Sequence, residues 1–439
     1  LEIGIIDADL IGRKNQRFPN LACMKLAAYH KEKGHSVKLI IDYRDLFSKY
    51  IELEQDKEPT FEFLMLDDTS KKGFVRYYKE EDISYDKILI SKVFTDTPIP
   101  LQIKHLNICE YGGTGFYYEK AKPLPDEIEH HIPDYHLYDM WVKHKLNSGV
   151  KPKALRYFTD YSIGFLTRGC FRKCEFCVNK NYDKAVKHSP VYEFLDVKRP
   201  KLCFLDDNFF ACSEWKNIIQ DVVAVNKKFQ FKQGLDERLL SDDKIHQLVS
   251  WKYDEDYIFA FDNIADKELI EIKLKRIFEL YPDFRKRLKF YVLCGYDRNG
   301  KWNQEFWERD IKETFERIFI LSKYSALPYI MRYEKCYTSK YSSTYTNLAS
   351  WCNQPSIFKK FSYKLFCQCR GMSNENYKKY KRNIEKYLND GHSKGSTWRS
   401  MEELEQESPK IAYQYFDIVP DSLLQYGNGK NFTGHVLSE

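Results

Sequence analysis

The chain has 439 residues, 43% hydrophobic and 16% aromatic, enough apolar material to exclude disorder as its main state and to fill two or three domains. Its net charge of +6 is the small difference between 70 basic and 64 acidic residues, compatible with an anionic substrate but short of a dedicated nucleic-acid footprint. No apolar run reaches membrane-spanning length and Leu1–Asp9 lacks the basic start of a signal sequence, so no membrane is expected and the twelve cysteines read as cytoplasmic, reduced thiols or metal ligands.

From the N-terminus, EIGIIDA is a short apolar strand, FPNLACMKLAAYHKEKGH has helical periodicity ending near Gly34, and SVKLIID is a second strand. DKILISKVF and LNICEYGGTG repeat the strand-then-loop pattern. This alternation predicts an α/β, doubly wound (Rossmann-like) domain over residues 1–130. The loop YGGTGF (111–116) is expected either to bring backbone close to a ligand or simply to form a tight turn. Pro123, Pro125, Pro133 and Pro152 make residues 117–157 read as a connector, with 131–157 as the linker proper.

Six further strands are expected, at 161–167, 201–207, 229–235, 257–262, 288–295 and 327–333. The segments EWKNIIQDVVAVNKK, DDKIHQLVSW, DKELIEIKLKRIFEL and DIKETFERIFILSK carry helical patterns between them. Six β/α units predict a partial (β/α)6 barrel over 158–335, with its chemistry on the loops after the strands. Residues 336–439 read as a smaller α-rich region, with an amphipathic helix in NENYKKYKRNIEKYL. Basic and aromatic residues interleave in FKKFSYKLF and YKKYKR, a pattern that suits an RNA or peptide substrate or a solvated face with core aromatics.

Directly after the first of the six strands stands RGCFRKCEFC (168–177), with Cys170, Cys174 and Cys177 spaced C-x3-C-x2-C. Three thiolates on one loop bind zinc or an iron–sulfur cluster. The nearest downstream histidine, His188, gives no familiar zinc-finger spacing. Three ligands suit a four-iron cluster with one iron left open to an exogenous ligand.

The motif, with Phe176 as the aromatic before the last cysteine, resembles the signature of the radical SAM superfamily, where it also follows the first strand of a β/α barrel. The resemblance implies that Cys170, Cys174 and Cys177 ligate a [4Fe–4S] cluster that reductively cleaves S-adenosylmethionine to a 5′-deoxyadenosyl radical. It implies that Phe176 lies along the adenine. In place of the family's GGE stretch the chain has LDDNFF, where Asp206, Asp207 or Asn208 would accept from the methionine ammonium. An Asp-Asn turn capping the next helix is the plain alternative. Gln233, Asp236 and Arg238 in QGLDER, Asp262, Gly295 and Arg332 are further rim positions, Arg238 as partner of the methionine carboxylate or as a surface ion pair. The chemistry needs a reducing partner such as flavodoxin or ferredoxin.

A doubly wound domain ahead of such a barrel is similar in layout to the cobalamin-binding class, which makes a cobalamin-dependent methyltransferase the alternative within the family. No Asp-x-His-x-x-Gly pattern follows IIDADLIGR, so an axial histidine lacks a source and a degenerate scaffold domain is the competing reading. From another class, a non-catalytic metal-binding interaction protein would keep the cysteines as structure. Cys336, Cys352, Cys367 and Cys369 are either an auxiliary metal site or buried and free thiols, and Cys367 and Cys369 would share a face if they lay on a strand.

Overall fold

The computed structural model describes residues 1–54, 57, 64, 66, 74–284 and 287–426. These form a mixed α/β chain with parallel sheets. The chain divides into two compact units, Leu1–Asp207 with Glu214–Phe229, and Asn208–Ser213 with Gln230–Glu439.

In the first unit, β1 (Glu2–Asp7) pairs in parallel with β2 (Ser36–Ile40). An antiparallel pair that the sequence pattern did not announce, β3 (Ile51–Glu54) and β4 (Phe74–Tyr77), comes next. β5 (Lys87–Ser91) and β6 (Cys109–Gly112) complete a four-stranded parallel sheet in the order β2-β1-β5-β6. β1 leads on to β2 on one side and lies beside β5 on the other, so the strand order reverses at β1. The helix Leu21–Glu32 forms where expected. The Asn20 side chain accepts from the Cys23 amide at its start, and Cys23, Met24 and Ala27 face the sheet.

Residues 131–157, a connector by their prolines, are a wall of this unit's core. Tyr135, Leu137, Tyr138, Trp141, Val142, Leu155 and Phe158 pack with Ile3, Ile5, Met24 and Leu89 in one cluster. The spacing of Tyr138, Trp141 and Val142 puts all three on one helical face, and the helix Asp139–Asn147 carries the last two.

The next strands of this unit are β7 (Tyr161–Gly164), β8 (Thr167–Arg168), β9 (Val186–Lys187) and β10 (Lys201–Phe204). β7 and β10 run parallel, Tyr161 opposite Lys201. β11 (Lys228–Phe231), whose first two residues belong to this unit, is the third strand of their sheet. β8 and β9 form a separate antiparallel ladder of two pairs, Thr167 with Lys187 and Arg168 with Val186.

In the second unit, β12 (Tyr257–Ala260), β13 (Leu288–Cys294) and β14 (Leu327–Arg332) form a three-stranded parallel sheet. The helices Asp242–Ser250, Lys267–Leu280 and Gln304–Lys323 stand in the expected intervals. Arg317 is buried and donates to the carbonyls of Phe261, Asp262 and Leu293, tying the ends of β12 and β13 together. All six expected strands are present, as two three-stranded sheets.

Two local expectations change after residue 335. Cys367 and Cys369 lie on the helix Tyr363–Cys369, where two positions apart means nearly opposite faces. The segment expected as one amphipathic helix is two, Asn374–Tyr380 and Ile384–Asn389, because the Asn383 side chain accepts from the Lys386 amide and starts a new helix. Residues 427–439, the end of the expected α-rich region, lie outside the described residues.

Trp141 is buried against Phe158, ring centroids 4.8 Å apart. Trp141→Ala is expected to cost about 3–5 kcal/mol, read as a lowered denaturation midpoint. A free connector would show no change.

Candidate functional site

The three motif cysteines lie on the loop 169–185, which leaves β8 and returns in β9. Two antiparallel pairs are a weak closure for a loop of this length, so side chains fasten its base. Asp206, fully buried just beyond β10, accepts from the Leu166 amide at 3.2 Å and from the Thr167 amide and hydroxyl at 2.7 Å each. Its neighbour Asp207 accepts from the Gly169 amide at 2.7 Å. The His188 amide donates to the Leu166 carbonyl at 2.9 Å and extends the ladder. Gly169 has φ +95°, and a Cβ there would run into the Lys184 carbonyl and the Tyr182 side chain, so only glycine lets the chain turn here.

Within the loop, backbone amides point at sulfur. The Arg172 amide donates to Cys170 Sγ at 3.5 Å and the Asn179 amide to Cys177 Sγ at 3.4 Å. The Cys177 amide bonds the Cys174 carbonyl, and Lys173, directly before Cys174, takes a left-handed conformation. Burial pushes the Cys177 thiol up, and the charges of Asp207 and Cys170 push the same way against the Asn179 amide. A nearby cation is what would ionise it. The loop cysteines are half-buried, whereas Cys23, Cys203, Cys212, Cys294, Cys336, Cys352, Cys367 and Cys369 are buried.

The donor set fits an iron–sulfur cluster in its chemistry: three thiols on one anchored loop, two of them already accepting amide hydrogen bonds of the kind that tune such clusters. Among the described residues, no three His, Cys, Asp or Glu side chains are arranged to hold a metal ion. Of the C-terminal thiols, Cys336 donates to the Cys294 carbonyl, burial and the Tyr363 hydroxyl act on Cys367, and burial alone raises Cys352.

Phe176 is half-buried, and its carbonyl accepts from the Tyr118 hydroxyl at 3.0 Å. The turn that carries Tyr118 also reaches the loop through Asn181, which donates to the Glu119 carbonyl, and through the Lys180–Glu119 ion pair at 3.3 Å. Nothing in the sequence signals these contacts. The remaining expected contacts are engaged within their own units. Asp206 serves the backbone as described. Asn208 donates to Asp236 at 3.2 Å, and Asp236 accepts from Arg238 at 2.8 Å. Arg238 also pairs with Asp266 at 2.9 Å, so carboxylates already surround it. Asp262 accepts from the Leu293 amide, Arg332 donates to Thr346 and stacks on Tyr337, and Gln233 is exposed. The Gly295 amide donates to Asp310 at 2.8 Å, and Cys336 Sγ occupies the space a Cβ would need. Between Asp236 and Arg238, Glu237 is fully buried, and burial raises its carboxyl to about 8.

At the carboxyl ends of β1 and β5, where a parallel sheet whose strand order reverses opens a crevice, the chain's own polar groups bond one another. Tyr138 donates to Asp7 at 2.9 Å, Asn20 to Ser91 at 2.9 Å, and Asp9 accepts from the Val93 amide and the Thr97 hydroxyl. The glycines of YGGTGF make room for Lys92 rather than for a ligand: the Gly115 amide bonds the Lys92 carbonyl, and a Cβ at Gly113 would strike it.

A scan of known protein families finds none that matches the chain, and a search of curated proteins finds no similar sequence.

Asp206→Ala strands three buried donors and is expected to cost at least ~2 kcal/mol, measured by denaturant titration. Burial raises the Asp7 carboxyl to about 7, so folding takes up a proton between about pH 4 and 7. Its contribution is full below about pH 4 and lost as pH rises through 7. Denaturation midpoints at pH 5 and pH 8 should therefore differ less in Asp7→Asn than in the wild type.

Proposed function

We propose that the chain is a radical SAM enzyme, a Rossmann-like N-terminal domain followed by a partial (β/α)6 barrel, with Cys170, Cys174 and Cys177 holding a [4Fe–4S] cluster. The observation that carries the reading is the loop 169–185: three thiols just past the end of β7, on a loop fastened at its base, with amides of Arg172 and Asn179 aimed at two of the sulfurs. A four-iron cluster takes each thiolate on a separate iron and leaves the fourth iron open. When bound and reduced, the cluster would supply the electron that cleaves S-adenosylmethionine to methionine and a 5′-deoxyadenosyl radical, which abstracts hydrogen from the substrate.

The chain's own groups prepare that chemistry in three ways. The Asn179 amide works toward the Cys177 thiolate, against the burial that raises this thiol overall. Asp206 and Asp207 keep the loop's base fixed, which lowers the entropy lost when three ligands close on one group. Tyr118 holds the Phe176 carbonyl, and with it the backbone next to Cys177. The reading assigns no corrinoid and no methyl transfer; at the N-terminal strand ends Asp7 and Tyr138 bond each other, as do Asn20 and Ser91. It requires a flavodoxin- or ferredoxin-type donor.

Protein reconstituted anaerobically with iron and sulfide, then given dithionite and S-adenosylmethionine, is expected to yield 5′-deoxyadenosine by chromatography. The triple variant Cys170→Ala, Cys174→Ala, Cys177→Ala should yield none and retain no cluster. A wild-type protein that holds iron and sulfide yet makes no 5′-deoxyadenosine would leave the cysteines a structural role only.

A further inference from the structure

Arg168, which begins the cysteine stretch, is drawn into a charged cluster that no part of the reading above uses. At its centre is Glu129, buried and 39 positions earlier in the chain. One carboxylate oxygen, Oε1, lies 3.1 Å from Lys25 Nζ, 3.3 Å from Arg168 Nη2 and 3.6 Å from His188 Nε2. Lys25, almost wholly buried on the helix Leu21–Glu32, also donates to the Glu129 backbone carbonyl. Arg168 lies over the Phe165 ring at 3.3 Å. The next residue, His130, stacks on His188 with ring centroids 4.9 Å apart and bonds Glu193 at 2.9 Å.

The placement matters because Arg168 and His188 are the two sides of the loop's neck. Arg168 belongs to β8, and His188 directly follows β9. A ladder of two pairs does not hold by itself, and Asp206 and Asp207 fasten only the outgoing side, at residues 166, 167 and 169. Glu129 holds Arg168 on the outgoing side, and its neighbour His130 stacks on His188 on the returning side. Burial works against its ionisation, but the charges of Lys25 and Arg168 outweigh that and hold it below the usual carboxylate range. Burial and Arg168 push the His188 imidazole down to about 4, so at neutral pH the ionic grip on the neck is that of Glu129 on Arg168.

We propose that Glu129 is a positioning residue: its carboxylate, anchored by Lys25, holds Arg168 on one side of the neck while its neighbour His130 stacks on His188 on the other, and so fixes the neck of the loop that carries Cys170, Cys174 and Cys177. What the loop is fixed for rests on the proposed function, but the clamp is a property of the chain without iron and is tested there. The measurement is amide hydrogen exchange by peptide mass spectrometry on the full-length apoprotein. Peptides spanning 166–188 are followed against those covering β1 and β5.

In Glu129→Gln, exchange across 166–188 should rise by roughly tenfold while β1 and β5 keep wild-type rates. Arg168→Met removes the clamp from the loop side and should give the same local pattern. The double variant Lys25→Met, Glu129→Gln keeps the cluster's net charge, so it should melt close to the wild type with the neck still loosened. Wild-type exchange across 166–188 in these variants overturns the proposal. So does a rise equal in the loop and in β1 and β5, which would make Glu129 a general stability residue. Because no cluster is needed, a failure of the radical SAM reading leaves this result interpretable, and the reverse also holds.

Discussion

Everything at the cysteine site depends on one buried carboxylate. Asp206 stands at the end of β10 and accepts from the Leu166 and Thr167 amides and the Thr167 hydroxyl, at the end of β7. Two parallel strands that end side by side would otherwise release their chains in unrelated directions. The carboxylate satisfies donors that the sheet ladder no longer serves and turns the outgoing chain into β8. Burial raises this group to about 7, against the pull of its three donors. An acid in so unfavourable a setting is kept there by the backbone groups it alone can satisfy.

From that anchor the rest of the site follows by short steps. Asp207, the next residue, holds the Gly169 amide, and Gly169 makes the turn that no side chain would permit. The loop then passes over the turn at Tyr118 and Glu119, which meets it at Phe176, Lys180 and Asn181. The N-terminal sheet thus contributes to the site by carrying that turn on the far side of its glycine loop, while Asp7 with Tyr138 and Asn20 with Ser91 bond one another at its strand ends. A parallel sheet can in this way support a neighbouring loop.

How much of this was legible in the sequence depends on the range of the interaction. The strands β7, β10, β11, β12, β13 and β14 are short apolar runs, and the helices between them carry a 3.6-residue pattern, so local periodicity was enough. The motif cysteines stand out by their spacing, and the structure carries all three on one loop. The antiparallel pair β3 and β4 carries little local signal, because IELE alternates over only four residues and FVRY does not alternate. Residues 131–157 were read through their prolines, whereas Tyr135, Tyr138, Trp141 and Val142 already mark a buried face. The roles of Asp206, Glu129 and Tyr118 were not legible at all. Each is defined by a partner 39, 39 or 58 positions away, and no local pattern encodes such a meeting. One clue was available for the second: Lys25 sits in the apolar run CMKLAA, and a lysine on a buried helical face needs a carboxylate to meet it.

The distribution of the thiols has a practical side. Eight of the twelve cysteines are buried, and the half-buried ones are Cys109 and the three of the loop. Burial raises those for which a shift stands out, to about 11 for Cys369 and about 12 for Cys367, and such groups are poor nucleophiles at neutral pH. Burial raises Cys109 and Cys177 as well, so exposure alone sets the four half-buried thiols apart. A thiol reagent added to the folded protein therefore meets Cys109 and the three of the loop first, while the eight in the cores stay covered.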